Sequence, residues 1–204
     1  MPELKNSTVI RMTLTAWEAH VQKWRNCTRC LLHTHRQLVV LAKGRLPCDV
    51  LFIGEAPGES ENILGRPFAG PAGKLLDRII DRSLEGLPWV PRLAYTNVVA
   101  CFPAEAKKSG DHRPPAAAIK ACSDRLKEFL WIARPRLIVL VGDTARKHVC
   151  GVQDDENLPM TEIIHPAAIL RAPQVQQEMM AKRASVILQS AVDGLGPAKG
   201  GQRA

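Results

Sequence analysis

Apolar runs of strand length recur along this chain and alternate with stretches of helical periodicity, and that alternation restricts the fold more than any other feature. Leu38–Leu41, Asp49–Ile53 (halted by Gly54), Leu93–Cys101, Arg136–Val141 (halted by Gly142) and Met160–Ile164 (followed by His165-Pro166) read as strands. Between them, Leu75, Leu76, Ile79 and Ile80 fall on one helix face with Asp77, Arg78, Asp81 and Arg82 on the other. Pro114 and Pro115 open a helix with the stripe Ile119, Cys122, Leu126, Phe129 and Leu130, and a last amphipathic helix spans Gln174–Val192. Strands alternating with helices specify an α/β fold: a single-domain three-layer sandwich with a mostly parallel central sheet. Upstream, Thr15-Ala16-Trp17-Glu18 has the form of a capping box, predicting a helix from Thr15 to Asn26 that bears Trp17, Val21 and Trp24 on one face. The glycines and prolines from Gly54 to Gly73 predict an extended loop, and Glu105–Arg113 a basic surface loop. We expect an N-terminal helical segment (1–26) packed on one domain (27–193), with a disordered tail (194–204).

With 28 Lys and Arg against 20 Asp and Glu in 204 residues, the formal charge of +8 points to a polyanionic partner, nucleic acid first. No stretch approaches the roughly 18 apolar residues of a spanning helix, and Met1-Pro2-Glu3-Leu4-Lys5 lacks the apolar core of a signal peptide. We therefore expect a cytoplasmic, nucleoid-associated monomer with no membrane partner. A reducing compartment keeps thiols free, so the pair Cys27 and Cys30, spaced C-x-x-C, reads as a metal or cluster ligand pair. Cys48, Cys101, Cys122 and Cys150 are scattered, and taken singly they read as buried thiols.

In an open α/β sheet the ligand crevice lies beyond the carboxyl ends of the strands. The residues that follow the apolar runs are Glu55, the segment Asn97–Pro103, Gly142-Asp143 and His165. A carboxylate, an amide and an imidazole facing one cleft suit hydrolysis with hydrogen-bond recognition of a planar polar ligand. Two phosphate motifs fail. Gly73-Lys74 ends like a P-loop, but Phe68 stands at its first glycine and Leu75 replaces the magnesium-binding Ser or Thr, and no G-x-G-x-x-G is present.

Four segments carry a resemblance: Gly54-Glu55-Ala56-Pro57-Gly58; Gly65-Arg66-Pro67-Phe68-Ala69-Gly70-Pro71-Ala72-Gly73; Thr96-Asn97-Val98-Val99 with Cys101; and His165-Pro166-Ala167-Ala168-Ile169-Leu170-Arg171. Together they closely resemble the family 4 uracil-DNA glycosylases, from about Cys27 to the last helix. The resemblance implies a uracil-DNA glycosylase-like fold and hydrolysis of the N-glycosidic bond of uracil in DNA. It also implies a 4Fe-4S iron–sulfur cluster on Cys27, Cys30, Cys101 and Cys122, with zinc on four thiolates as the alternative metal. Such an enzyme extrudes its nucleotide and stabilises the departing base as an anion. On that resemblance Phe68 is the stacking ring, Asn97 the uracil-reading amide with Gly54 beside it, His165 the donor to uracil O2, and Glu55 the carboxylate that positions water or offsets sugar charge. Ile169 and Leu170, after Pro166, would wedge into the duplex while Arg171 meets a phosphate; core packing is the other reading of Ile169 and Leu170.

The segment Ala104–His112 is longer than the family 4 pattern, which there ends in Asn-Arg where this chain has His112-Arg113. Lys107, Lys108 and Arg113 are expected on DNA phosphates. The insertion loosely resembles the UdgX-like branch, whose insertion histidine becomes attached to deoxyribose; His112 would take that role. Ala56 stands where that branch has Gln, and its Lys-Arg-Arg-Ile-His string is absent. A non-catalytic DNA-binding iron–sulfur module on the same scaffold is the alternative from a different class.

Overall fold

A computed structural model describes residues 3–104, 113–149 and 157–197. The strands are β1 Ala42–Gly44, β2 Val50–Gly54, β3 Leu93–Asn97, β4 Leu137–Val141 and β5 Met160–Ile163. The helices are α1 Glu3–Trp24, α2 Glu59–Leu64, α3 Pro71–Leu84, α4 Ala116–Ala133, α5 Asp143–Val149, α6 Pro166–Arg171 and α7 Gln174–Asp193, with a 3-10 turn at Leu31–Thr34. The strands pair in the order β1-β3-β2-β4-β5; β2 to β5 run parallel, and β1 is the antiparallel edge.

Successive side chains of a strand face opposite sides, so each strand feeds two cores. Leu51 and Ile53 join Ala94, Ile138 and Leu140 under Leu126 and Phe129 of α4 and Ala145 and Val149 of α5. Val50 and Phe52 join Tyr95, Val139 and Val141 under Leu76 and Ile79 of α3 and Ala184 and Leu188 of α7. All five positions of β2 and of β4 are buried, which is why both read as unbroken apolar runs. The expected three-layer, mostly parallel sandwich is what forms.

Four local expectations are corrected. The first helix begins at Glu3, not Thr15. With helix already formed upstream, the Thr15 hydroxyl donates back to the Arg11 carbonyl at 3.0 Å instead of capping. Leu38–Leu41 is apolar because Val40 and Leu41 are buried, Leu41 in a cluster with Trp24 and Ala100, and the ladder itself starts at Ala42. β3 stops at Asn97 rather than Cys101, since the Arg125 guanidinium takes the carbonyls of Asn97 and Val98. The glycine-rich loop contains α2, whose six residues are too few to display a period. At the other end, the packed chain runs past Asp193: Leu195 joins the second core, and the carbonyls of Leu195 and Gly196 accept from Arg136.

Asp49 bolts the amino end of the sheet. Its buried carboxylate accepts from the Arg92 backbone at 2.8 Å and from Arg92 Nε and Nη2 at 3.0 and 3.1 Å, and Arg136 lies 3.5 Å away. Burial alone would raise the pKa of this acid, but the hydrogen bonds and charge of Arg92, joined by Arg136, win and hold it below 3.8. A depressed carboxylate pKa stabilises the fold above the ordinary value and ceases to do so as pH falls through the depressed one. Asp49→Asn should cost about 2–4 kcal/mol, because two guanidinium groups lose their counter-charge. Calorimetry at pH 7 should show a Tm lower by about 5–15 °C, a gap that narrows only below pH 3.8.

Candidate functional site

Beyond the carboxyl ends of β2 to β5 lies a cavity of about 500 Å³, and Glu55, Phe68, Asn97, Asp143, His165 and Arg171 all line it. That is the crevice expected of an open parallel sheet. Its floor depends on the register of β2 against β3, in which Gly54 stands opposite Asn97. A β-carbon at Gly54 would overlap Asn97 Oδ1 and come within 2.7 Å of Phe68 Cζ. Glycine there lets a buried amide and an aromatic ring converge.

Phe68 adopts a left-handed backbone, φ 52°, which costs a bulky residue about 1 kcal/mol or more. Neighbours hold it there. Its ring lies 6.0 Å from that of Tyr95, which stacks on Phe52 at 5.1 Å, and its carbonyl accepts from Lys43 Nζ at 3.2 Å. Glu61 was not foreseen as a site residue, yet it braces the same loop. Its buried carboxylate accepts from the backbone N–H groups of Gly58 at 3.0 Å and of Ala69 and Gly70 at 2.9 Å. The available signal was an acidic residue three positions after Gly58, as at the third position of a capped helix.

His165 Nδ1 accepts from the Ala167 N–H at 3.1 Å, so in the neutral ring the proton sits on Nε2. Burial, with the Arg171 charge adding to it and Glu61 opposing, pushes the His165 pKa down to about 4. Gly142, φ 88°, leaves room for the ring: a β-carbon there would lie 2.9 Å from His165 Cβ. Glu55 accepts a hydrogen bond from the Thr144 hydroxyl. Asp143 reaches the cavity, but Lys147 and Arg146 bind its carboxylate and hold its pKa low, so it is not a free base.

The residues expected on DNA divide. Arg171 lines the cavity, while half-exposed Leu170 borders a separate groove beside α3 and α7. Ile169 is fully buried in the second core, which overturns its reading as part of a wedge and makes it packing. Pro166 is buried at the start of α6, and Arg113 is exposed. Lys107, Lys108 and His112 lie outside the described residues.

A second cavity is lined by Cys27, Cys30, Cys101 and Cys122 together with Arg29, Arg36 and Arg125. α1 reaches it because His20, Lys23 and Trp24 all bind Glu128 of α4, at 2.9, 2.5 and 3.2 Å. Arg36 Nη1 donates to Cys101 Sγ at 3.3 Å, and burial pushes the Cys101 thiol up to about 11, so a thiolate there calls for cationic company. Four soft sulfur donors in an apolar enclosure suit a cuboidal cluster. Among the described residues no three Cys, His, Asp or Glu groups converge tightly enough for one metal ion, as four thiolates on zinc require. Cys48 is buried with its thiol pushed up to about 12, as a structural cysteine should be, and Cys150 lies outside the described residues.

Nitrogen-15 NMR of the His165 ring should report the neutral Nε2–H form throughout the neutral range, with protonation only as pH approaches about 4. Because the folded-state pKa is lowered from 6.5, this residue should subtract from stability as pH drops below 6.5, and His165→Gln should flatten that limb of the stability profile.

A family profile described as the uracil DNA glycosylase superfamily matches residues 41–187. The Type-4 uracil-DNA glycosylase of Pyrobaculum aerophilum is 32% identical over 179 residues, covering 76% of this chain and 84% of the relative. That of Sulfurisphaera tokodaii is 31% identical over 171 residues, covering 74% of each, and that of Archaeoglobus fulgidus 29% over 177 residues, covering 78% of this chain and 85% of the relative. In the first core the sheet is covered by α4 and α5, in the second by α3 and α7, and the pocket lies where the strands end. No described helix is long and apolar enough to cross a membrane. On these matches, spanning most of its length, the chain belongs to the uracil-DNA glycosylase superfamily, in its Type-4 branch.

Proposed function

We propose that this protein is a DNA-repair glycosylase that hydrolyses the N-glycosidic bond of uracil in DNA and leaves an abasic site. The observation that carries the reading is that one cavity holds the Asn97 amide, the Phe68 ring and a His165 whose proton is on Nε2. The nucleotide leaves the base stack and its uracil lies against Phe68. The Asn97 amide donates to O4 and accepts from N3–H, a pattern that cytosine presents in reverse. As the C1′–N1 bond breaks, its electron pair departs with the base, and the His165 Nε2–H bond to O2 strengthens as that charge grows. Glu55, oriented by Thr144, holds the water whose oxygen bonds to C1′ and takes up its proton. Burial keeps His165 neutral, so it meets the leaving anion as a hydrogen-bond donor and not as an acid.

Arg171 meets a phosphate at the cavity rim, Leu170 stands beside it against the duplex, and Lys107, Lys108 and Arg113 add phosphate contacts. Cys27, Cys30, Cys101 and Cys122, which line one cavity, would hold the 4Fe-4S cluster. Bound there, it would tie the end of α1, the segment after β3 and α4 to one another through these four thiolates. The protein works on DNA as a cytoplasmic monomer, and its net charge of +8 supports the polyanionic partner.

Single- and double-stranded oligonucleotides containing uracil, treated with the protein and then with alkali, should break at the uracil. Asn97→Ala and His165→Ala should each lower single-turnover excision about 10²–10³-fold. Salt-dependent DNA binding should remain in both. An uncut strand bound with strong salt dependence would identify a binding module instead. A denaturant-resistant adduct lost in His112→Ala would identify covalent trapping. Gly54→Ala should fold normally yet lose excision and uracil discrimination, since its methyl group displaces Asn97 and Phe68.

A further inference from the structure

Arg125 of α4 is 1% exposed and heads the largest fully buried side chains. Among the described residues no carboxylate pairs with it, and its Nε has no hydrogen-bond partner. A buried cation without an anion and a buried donor without an acceptor are both costly, and most proteins avoid them. The other end of the guanidinium is engaged: Nη1 donates to Thr96 Oγ1 at 3.0 Å, and Nη2 donates to the carbonyls of Val98, at 3.0 Å, and Asn97. Arg125 also lines the cavity of the four cysteines. One side chain therefore borders the cysteine centre and grips the backbone of the uracil-reading residue.

We propose that Arg125 is a positioning residue whose missing counter-charge and acceptor are the cysteine-held cluster, so that the cluster's anionic charge fixes the guanidinium that fixes Asn97. The inference rests on the cluster reading given above. Four thiolates around an iron–sulfide core form a net anionic assembly, and hydrogen bonds and nearby charge set its reduction potential. Arg36, already bonded to Cys101 Sγ, and Arg29, paired with Asp124, are the other cations lining that cavity and the natural controls.

The test compares anaerobically purified wild-type holoprotein with Arg125→Gln, Arg125→Lys and the double variant Arg29→Lys, Arg36→Lys. Arg125→Gln should move the cluster potential to a more negative value, because a cation and a donor to sulfur are lost. Excision should fall by about 10–100-fold, in kcat more than in KM for DNA. Arg125→Lys should recover part of the potential through its charge but not the excision rate, since a single ammonium nitrogen does not reproduce the planar fork whose two nitrogens reach Thr96 and the Asn97 and Val98 carbonyls. A purely structural role would lower stability and iron retention while leaving the potential of cluster-bearing molecules alone, and an unshifted potential in Arg125→Gln overturns the proposal. Should neither variant fold, pulsed EPR of the reduced wild type labelled with nitrogen-15 arginine decides. A coupling that persists in the double variant Arg29→Lys, Arg36→Lys supports the contact, and its absence refutes it. Wild-type protein without iron and sulfide would sink the cluster reading itself, and the role of Arg125 with it, before any variant is examined.

Discussion

The parallel pairing of β2 with β3, with Gly54 abreast of Asn97, is the constraint on which the pocket depends. Because the two strands end level, the amide of Asn97 stands directly over a residue with no side chain, and the ring of Phe68 closes from the other side. A one-residue slip would turn Asn97 toward the opposite face and leave the amide in an apolar core. The register is in turn enforced by burial on both faces, since Phe52 and Tyr95 belong to one core and Ile53 and Ala94, from the same two strands, to the other.

Around that point the chain uses neutral or tied groups. His165 is uncharged, Glu61 spends its carboxylate on three backbone amides of the loop, and Asp143 is paired with Lys147 and Arg146. A cavity with fixed dipoles stabilises a developing anion without reorganising, which is what the proposed departure of a pyrimidine demands. The left-handed Phe68 belongs to the same design: a backbone state that is unfavourable alone is over-determined by Lys43 and Tyr95, and by Gly73, where any β-carbon would strike the Phe68 backbone.

Much of this is legible in the sequence. Doubly buried strands announce themselves as unbroken apolar runs, so β2 and β4 were plain, and the residues following such runs pointed to Glu55, Asn97 and His165 because strand ends are where loops gather. Other features were hidden for physical reasons. Arg125 and Glu61 are charged residues doing buried work, and nothing local distinguishes them from solvated neighbours. Val39 and Leu41 of the first apolar run pack against Trp24 of α1, a contact between segments far apart in sequence. Thr15 imitated a cap whose meaning depended on helix that began twelve residues earlier, at Glu3. Ile169 had the composition of a wedge and the burial of a core residue, which composition does not separate.

The carboxylate clamp of Asp49 with Arg92 and Arg136 sits at the amino edge of the strands, and the pocket at the carboxyl edge, with the length of β2 between them. Endurance and chemistry are thereby housed at opposite poles of one sheet. Mutational drift, or a laboratory search for heat resistance, can reshape the Asp49 pole while leaving the pocket at the other pole undisturbed, so this scaffold has room to adapt to hotter or more acidic surroundings without remaking its pocket.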